Sequence, residues 1–202
     1  MNTIIDKSGT SERLDLLRAL NAETERRRSF FGTEAEKRAY LMIRNPINFE
    51  EAFAILGVFL GMFPPAAIYL NMHFANPGSM GWLLALFVLA NIVTAAAGYY
   101  LGALVGKIVR FVEKKDWVTM TVFLILIGGA WGAISGFAGG LFIFLIGSLY
   151  GAFFGILVGA AVLPVFSILH RLLNVRGFID RRQAIPLAVG MSLIVSAYIF
   201  GL

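Results

Sequence analysis

Asn91, Ser148, Tyr99 and Tyr150 are polar side chains set inside long apolar stretches of a 202-residue chain. An amide, hydroxyl or phenol held in lipid can coordinate a water, an ion or a polar solute. It can equally bond a neighbouring helix. These four are therefore the candidates for a pore lining or an internal polar contact. Asn91 is the most strongly polar and the most deeply placed. Ser192, Ser196 and Tyr100 could join either arrangement. Glu50 and Glu51 sit where a solute mouth could form, although solvation and pairing with Arg44 is the expected use.

Catalysis has less to draw on. Cysteine is absent, which excludes disulfides, thiolate chemistry and Cys–metal sites. His73 is expected in an outer loop and His170 at an inner edge, too far apart to share a site. No aspartate, histidine or cysteine is expected to be buried, and HExxH, P-loop and GxSxG patterns are missing. The residues suggest no catalytic centre, metal site or cofactor. Proton-coupled transport would call for an intramembrane carboxylate, so a passive channel or facilitator fits better.

Glycine supplies the second pattern. Gly57 and Gly61 are four apart, as are Gly98, Gly102 and Gly106. Gly128, Gly132, Gly136 and Gly140 form a longer series, and Gly147, Gly151, Gly155 and Gly159 another. Small residues at this spacing clear one helix face, so that backbones approach and dispersion contacts hold them. Close packing is the expected role, within the chain or between copies. A face that borders a conduit is the rarer alternative. The run Gly98 to Gly106 also echoes Gly151 to Gly159, as a parallel duplication would.

The elements that must carry these residues are membrane spans. The chain is 58% hydrophobic and 14% charged, against about 25% charged in an ordinary soluble domain. Between Arg44 and Lys107 the ionised residues are Glu50 and Glu51. Between Asp116 and Arg171 there is no Asp, Glu, Lys or Arg, and His170 is set aside as neutral. Stretches of that length suit lipid rather than a soluble core. The expected fold is all-α, a polytopic transmembrane bundle over 49–202, with spans at 49–70, 82–109, 118–135, 141–166 and 184–202. Pro64 and Pro65 remove two successive backbone donors and predict a kink or break in the helix.

A single helix from Val118 to Phe166 would be about 73 Å long, more than twice the hydrocarbon thickness. It must turn, and GFAGG at 136–140 is the expected place. Gly136 and Gly140 would then serve the turn, and Trp131 would sit near the outer interface with Trp82, opposite Trp117.

Residues 1–48 are expected to be cytoplasmic, with an amphipathic helix from Ser11 and a second helix over 34–43. Arg26, Arg27 and Arg28 beside Phe30 and Phe31 suit anionic lipid at a membrane surface, and equally a soluble helix packed beneath the bundle. No secretory leader is expected, so the first span serves as the insertion signal. All seventeen Lys and Arg fall on one side of the spans, which predicts a cytoplasmic amino end and an outside carboxyl end, in a bacterial cytoplasmic membrane. The expected partners are the lipid bilayer and a second copy or another membrane protein. The net charge of +5 comes without a basic, aromatic-interleaved patch, and nucleic acid is not expected. Two functions remain: a small channel or facilitator, or a non-catalytic membrane subunit or scaffold.

Overall fold

Three side-chain caps set where the helices begin. Asn48 Oδ1 accepts from the Glu51 amide at 2.9 Å, Asp116 Oδ2 from Thr119 at 3.0 Å and Asp180 Oδ1 from Arg182 at 2.9 Å. Each satisfies an amide that the first helical turn leaves open. In the computed structural model the described residues are 15–19, 45–75, 81–141, 144–175 and 177–201. Residues 1–44 and 45–202 form separate units. In the first, 15–19 are helical and Arg18 lies 3.6 Å from Asp15. The rest of that unit lies outside the described residues, including the helix expected over 34–43 and Arg26, Arg27 and Arg28.

The second unit is an all-α bundle of an integral membrane protein, with five helices long and apolar enough to cross a bilayer. They are α1 (Phe49–Ala75), α2 (Gly81–Val112), α3 (Trp117–Gly140), α4 (Phe144–Leu173) and α5 (Arg181–Phe200). A two-stranded antiparallel sheet was not anticipated. Strand β1 (Pro46–Asn48) pairs Ile47 with Ile179 of β2 (Phe178–Asp180) and ties the start of α1 to the start of α5. The turn into β2 uses Gly177 at φ +89°, held by its amide donating to Asn174 Oδ1 at 2.7 Å.

Glycine sets how the helices pair. Between α3 and α4, Gly128 faces Gly159, Gly132 faces Gly155, Gly136 faces Gly151 and Gly140 faces Gly147. A Cβ added at Gly128, Gly132, Gly136 or Gly140 would strike the facing glycine's carbonyl. Between α1 and α2, Gly57 faces Gly98, Gly61 faces Thr94 and Ala95, Gly102 faces Phe53, and Gly106 faces Phe49 and Glu50. Both are antiparallel hairpins closed backbone to backbone.

Three expectations need correction. Helix α3 runs on to Gly140, so the chain turns after that residue rather than over 136–140. Gly136 and Gly140 therefore join the packed face. Trp131 does not reach an interface: it is 5% exposed, with its ring edge beside Gly57. The division into two helices holds without it. Finally, α1 continues through Pro64 and Pro65 without the break that was one of the two expected outcomes. Close packing of Gly61 before the pair and of Tyr69 on Phe87 after it (centroids 4.8 Å apart) braces the helix across the missing donors.

The bundle is packed small-inside. Ser148, Ser167 and Ser192 are fully buried, while Leu126, Ile146 and Ile194 are each about two-thirds exposed. Bulky apolar groups on the outside are what lipid accommodates. At the end holding the basic residues the interior changes to large side chains. Phe53, Leu56, Met120, Leu124, Leu163 and Phe166 are fully buried there.

Candidate functional site

The four polar candidates do not converge. Ser148 is fully buried, and its Cα packs beside Gly140 in the closed seam between α3 and α4. Tyr99 and Tyr150 lie on α2 and α4, 47% and 64% exposed, and face outward. Asn91 is half-buried, with its Oδ1 enclosed and without a hydrogen-bond partner. Ser192 and Ser196 turn back on their own helix, donating to Ala188 and Ser192 carbonyls at 2.8 and 2.9 Å. A pore lining would need these groups on one surface, and they occupy several.

The charged end holds a different centre, contrary to the expectation of no buried histidine. His170 is 0% exposed. Phe49 and Phe53 of α1 flank its ring at centroid distances of 4.5 and 5.5 Å, and Phe166 lies 6.3 Å away. Its Nδ1 stands 3.4 Å from Oε1 of Glu113, a residue just past α2 and itself buried. The two atoms are within ion-pair reach but off the line of a hydrogen bond, and His170 Nε2 has no partner. An imidazolium beside a carboxylate, or an imidazole beside a carboxylic acid, leaves the pair with no net charge. Those are the states burial tolerates best.

One sequence signal pointed here. Gly159, Val162, Leu163, Phe166 and Ser167 are buried along α4, and His170 continues that spacing. His73 is at the opposite end, stacked on Tyr69 at 6.0 Å. The two histidines are separate, as their positions in the chain suggested.

Around the buried pair, the remaining charges are arranged on the rim. Lys107 Nζ lies 3.7 Å from Glu50, so Glu50 pairs within the bundle, while Arg44 lies outside the described residues. Arg171, next in sequence to His170, stacks its guanidinium 4.2 Å over the Trp117 ring. Its Nη1 donates to Met120 Sδ at 3.3 Å. Asp116 is spent on its cap, and the Thr119 backbone amide, then the Thr119 side chain, hold its carboxyl below the usual value. Among the described residues no three His, Cys, Asp or Glu side chains gather as a metal site would require.

No protein-family model, curated protein or solved structure matches the chain. The functional reading rests on its own geometry.

Proposed function

We propose that the protein is a non-catalytic membrane subunit or scaffold, which offers its outer helix faces to partner helices. The observation that carries this reading is the closure of both hairpin seams, at Gly57 on Gly98 and at Gly132 on Gly155, with Tyr99 and Tyr150 turned outward. The glycine faces are used within the chain, so a partner or second copy would meet the bulky outer surfaces. Orientation belongs to the same reading. Lys107, Arg110, Lys114, Lys115, Arg171, Arg181 and Arg182 cluster at one end of the bundle, and the retention of positive charge during insertion supports a cytoplasmic position for that end.

A passive facilitator is the second reading, and one observation favours it. Asn91 Oδ1 on α2, with Trp131 Nε1 and Ser135 Oγ on α3, are enclosed polar atoms without partners. Water could satisfy them. Solute flux into liposomes carrying the purified chain separates the two. The scaffold reading expects no selective flux above empty vesicles, and it expects Asn91→Leu to alter assembly alone. Selective flux that Asn91→Leu abolishes would overturn it.

A further inference from the structure

We infer that the charged end carries a binding site for one anionic phospholipid, built from Arg171 and the outer face of the first turns of α3. Trp117, Val118, Thr121 and Val122 line a shallow, open, mostly apolar depression there. They recur at helical spacing on one side of α3. From Trp117 to Val122 the face runs about 7.5 Å along the helix at 1.5 Å per residue, away from the charged end. An acyl chain fits that direction, with its headgroup beside Trp117.

Arg171 supplies the charge. Its guanidinium carbon lies over the Trp117 ring, 4.2 Å from the centroid, and the hydrogen bond it makes is to a thioether sulfur. Among the described residues no carboxylate pairs with it. Thioether sulfur is a weak acceptor, whereas a guanidinium matches phosphate with two parallel N–H donors. The acidic neighbours are engaged elsewhere. Asp116 caps Thr119, Glu113 faces His170, and Glu50 faces Lys107. Lys114 and Lys115 on the same loop are exposed. The complement to this site is a phosphate attached to an apolar chain, at the depth where a bilayer places one. The contacts with Trp117 and Met120 hold the guanidinium in place in advance, which lowers the ordering cost of binding.

Native mass spectrometry of the full chain in detergent micelles tests this, using phosphatidylglycerol and phosphatidylcholine with identical acyl chains. The wild type should retain phosphatidylglycerol about fivefold better, as expected from one basic group near an anionic headgroup. Arg171→Gln should reduce that preference to about parity. Arg171→Lys keeps the charge without the guanidinium's paired donors and should restore part of it. Val122→Asn should weaken retention of both lipids. The site is overturned if the wild type shows no preference, or if Arg171→Gln leaves it intact. It also falls if Lys115→Gln removes the preference as fully as Arg171→Gln, because diffuse charge would then account for it. Tighter, Arg171-dependent binding of a Glu-rich helical peptide would assign the surface to a protein partner and overturn the lipid assignment.

Discussion

His170 Nδ1 and Glu113 Oε1 stand 3.4 Å apart where α4 meets the end of α2, and neither makes a directed hydrogen bond. Phe49, Phe53 and Phe166 surround the imidazole. The pair brings three helices to one point: α1 through the rings, α2 through the carboxylate's attachment, and α4 through the histidine. Attraction between the groups has to offset the loss of water from both, and that makes each dependent on the other.

Removing one partner should therefore cost more than removing both. His170→Phe leaves the buried Glu113 carboxyl without its partner and should destabilise the bundle by about 3 kcal/mol or more. Adding Glu113→Leu to it should recover most of that loss. Equilibrium unfolding in mixed micelles gives the coupling. Additive losses from the two single variants would show that the pair does not act as a unit.

The glycine seams predict a contrast within one residue type. Alanine at Gly132 or Gly155 places a methyl against the facing carbonyl, so each should lower stability by about 1–3 kcal/mol as the helices separate. At Gly190 in α5, a Cβ would meet nothing within 4 Å. There Gly190→Ala should be neutral or raise stability by up to about 1 kcal/mol through helix propensity. Equal losses at all three positions would contradict the backbone contacts.

Much of this architecture was legible because lipid imposes it. The charge-poor stretches mark five spans, and Gly128 through Gly159 at intervals of four mark a helix contact. Where α3 ends was misread because glycine has two uses. Gly136 and Gly140 suit a turn as well as a packed face, and their phase with Gly128 and Gly132 decides for packing. Trp131 obeyed a pocket beside Gly57 instead of the interfacial preference of its type. His170 was expected at an inner edge, yet its spacing from Phe166, four residues earlier, places it on the buried side. The β1–β2 pairing was out of reach, since three-residue strands show no usable alternation and their partners are far apart in sequence.

Acid should weaken the start of α3. The Thr119 amide and side chain hold the Asp116 carboxyl below its usual value. A carboxylate lowered in the fold stabilises above its unfolded value of about 3.9, and that contribution is lost as pH falls through the folded value. Unfolding midpoints should drop below about pH 4. Asp116→Asn keeps a capping acceptor, so it should flatten part of that slope while leaving the neutral-pH midpoint nearly unchanged. An unchanged acid slope would remove Asp116 from the account.

Lys115 and Leu141 lie just beyond opposite ends of α3, and both are exposed. With no cysteine in the chain, a single one at either position reports its side of the membrane without background. The basic residues at the Lys115 end favour retention in the cytoplasm during insertion. An impermeant maleimide added to intact cells should therefore label Leu141→Cys and leave Lys115→Cys unmodified until the membrane is opened. The reverse pattern would invert the orientation, and with it the leaflet that supplies a phospholipid to Arg171. Labelling of both from outside would mean that α3 does not cross, despite 24 residues of apolar helix between the two positions.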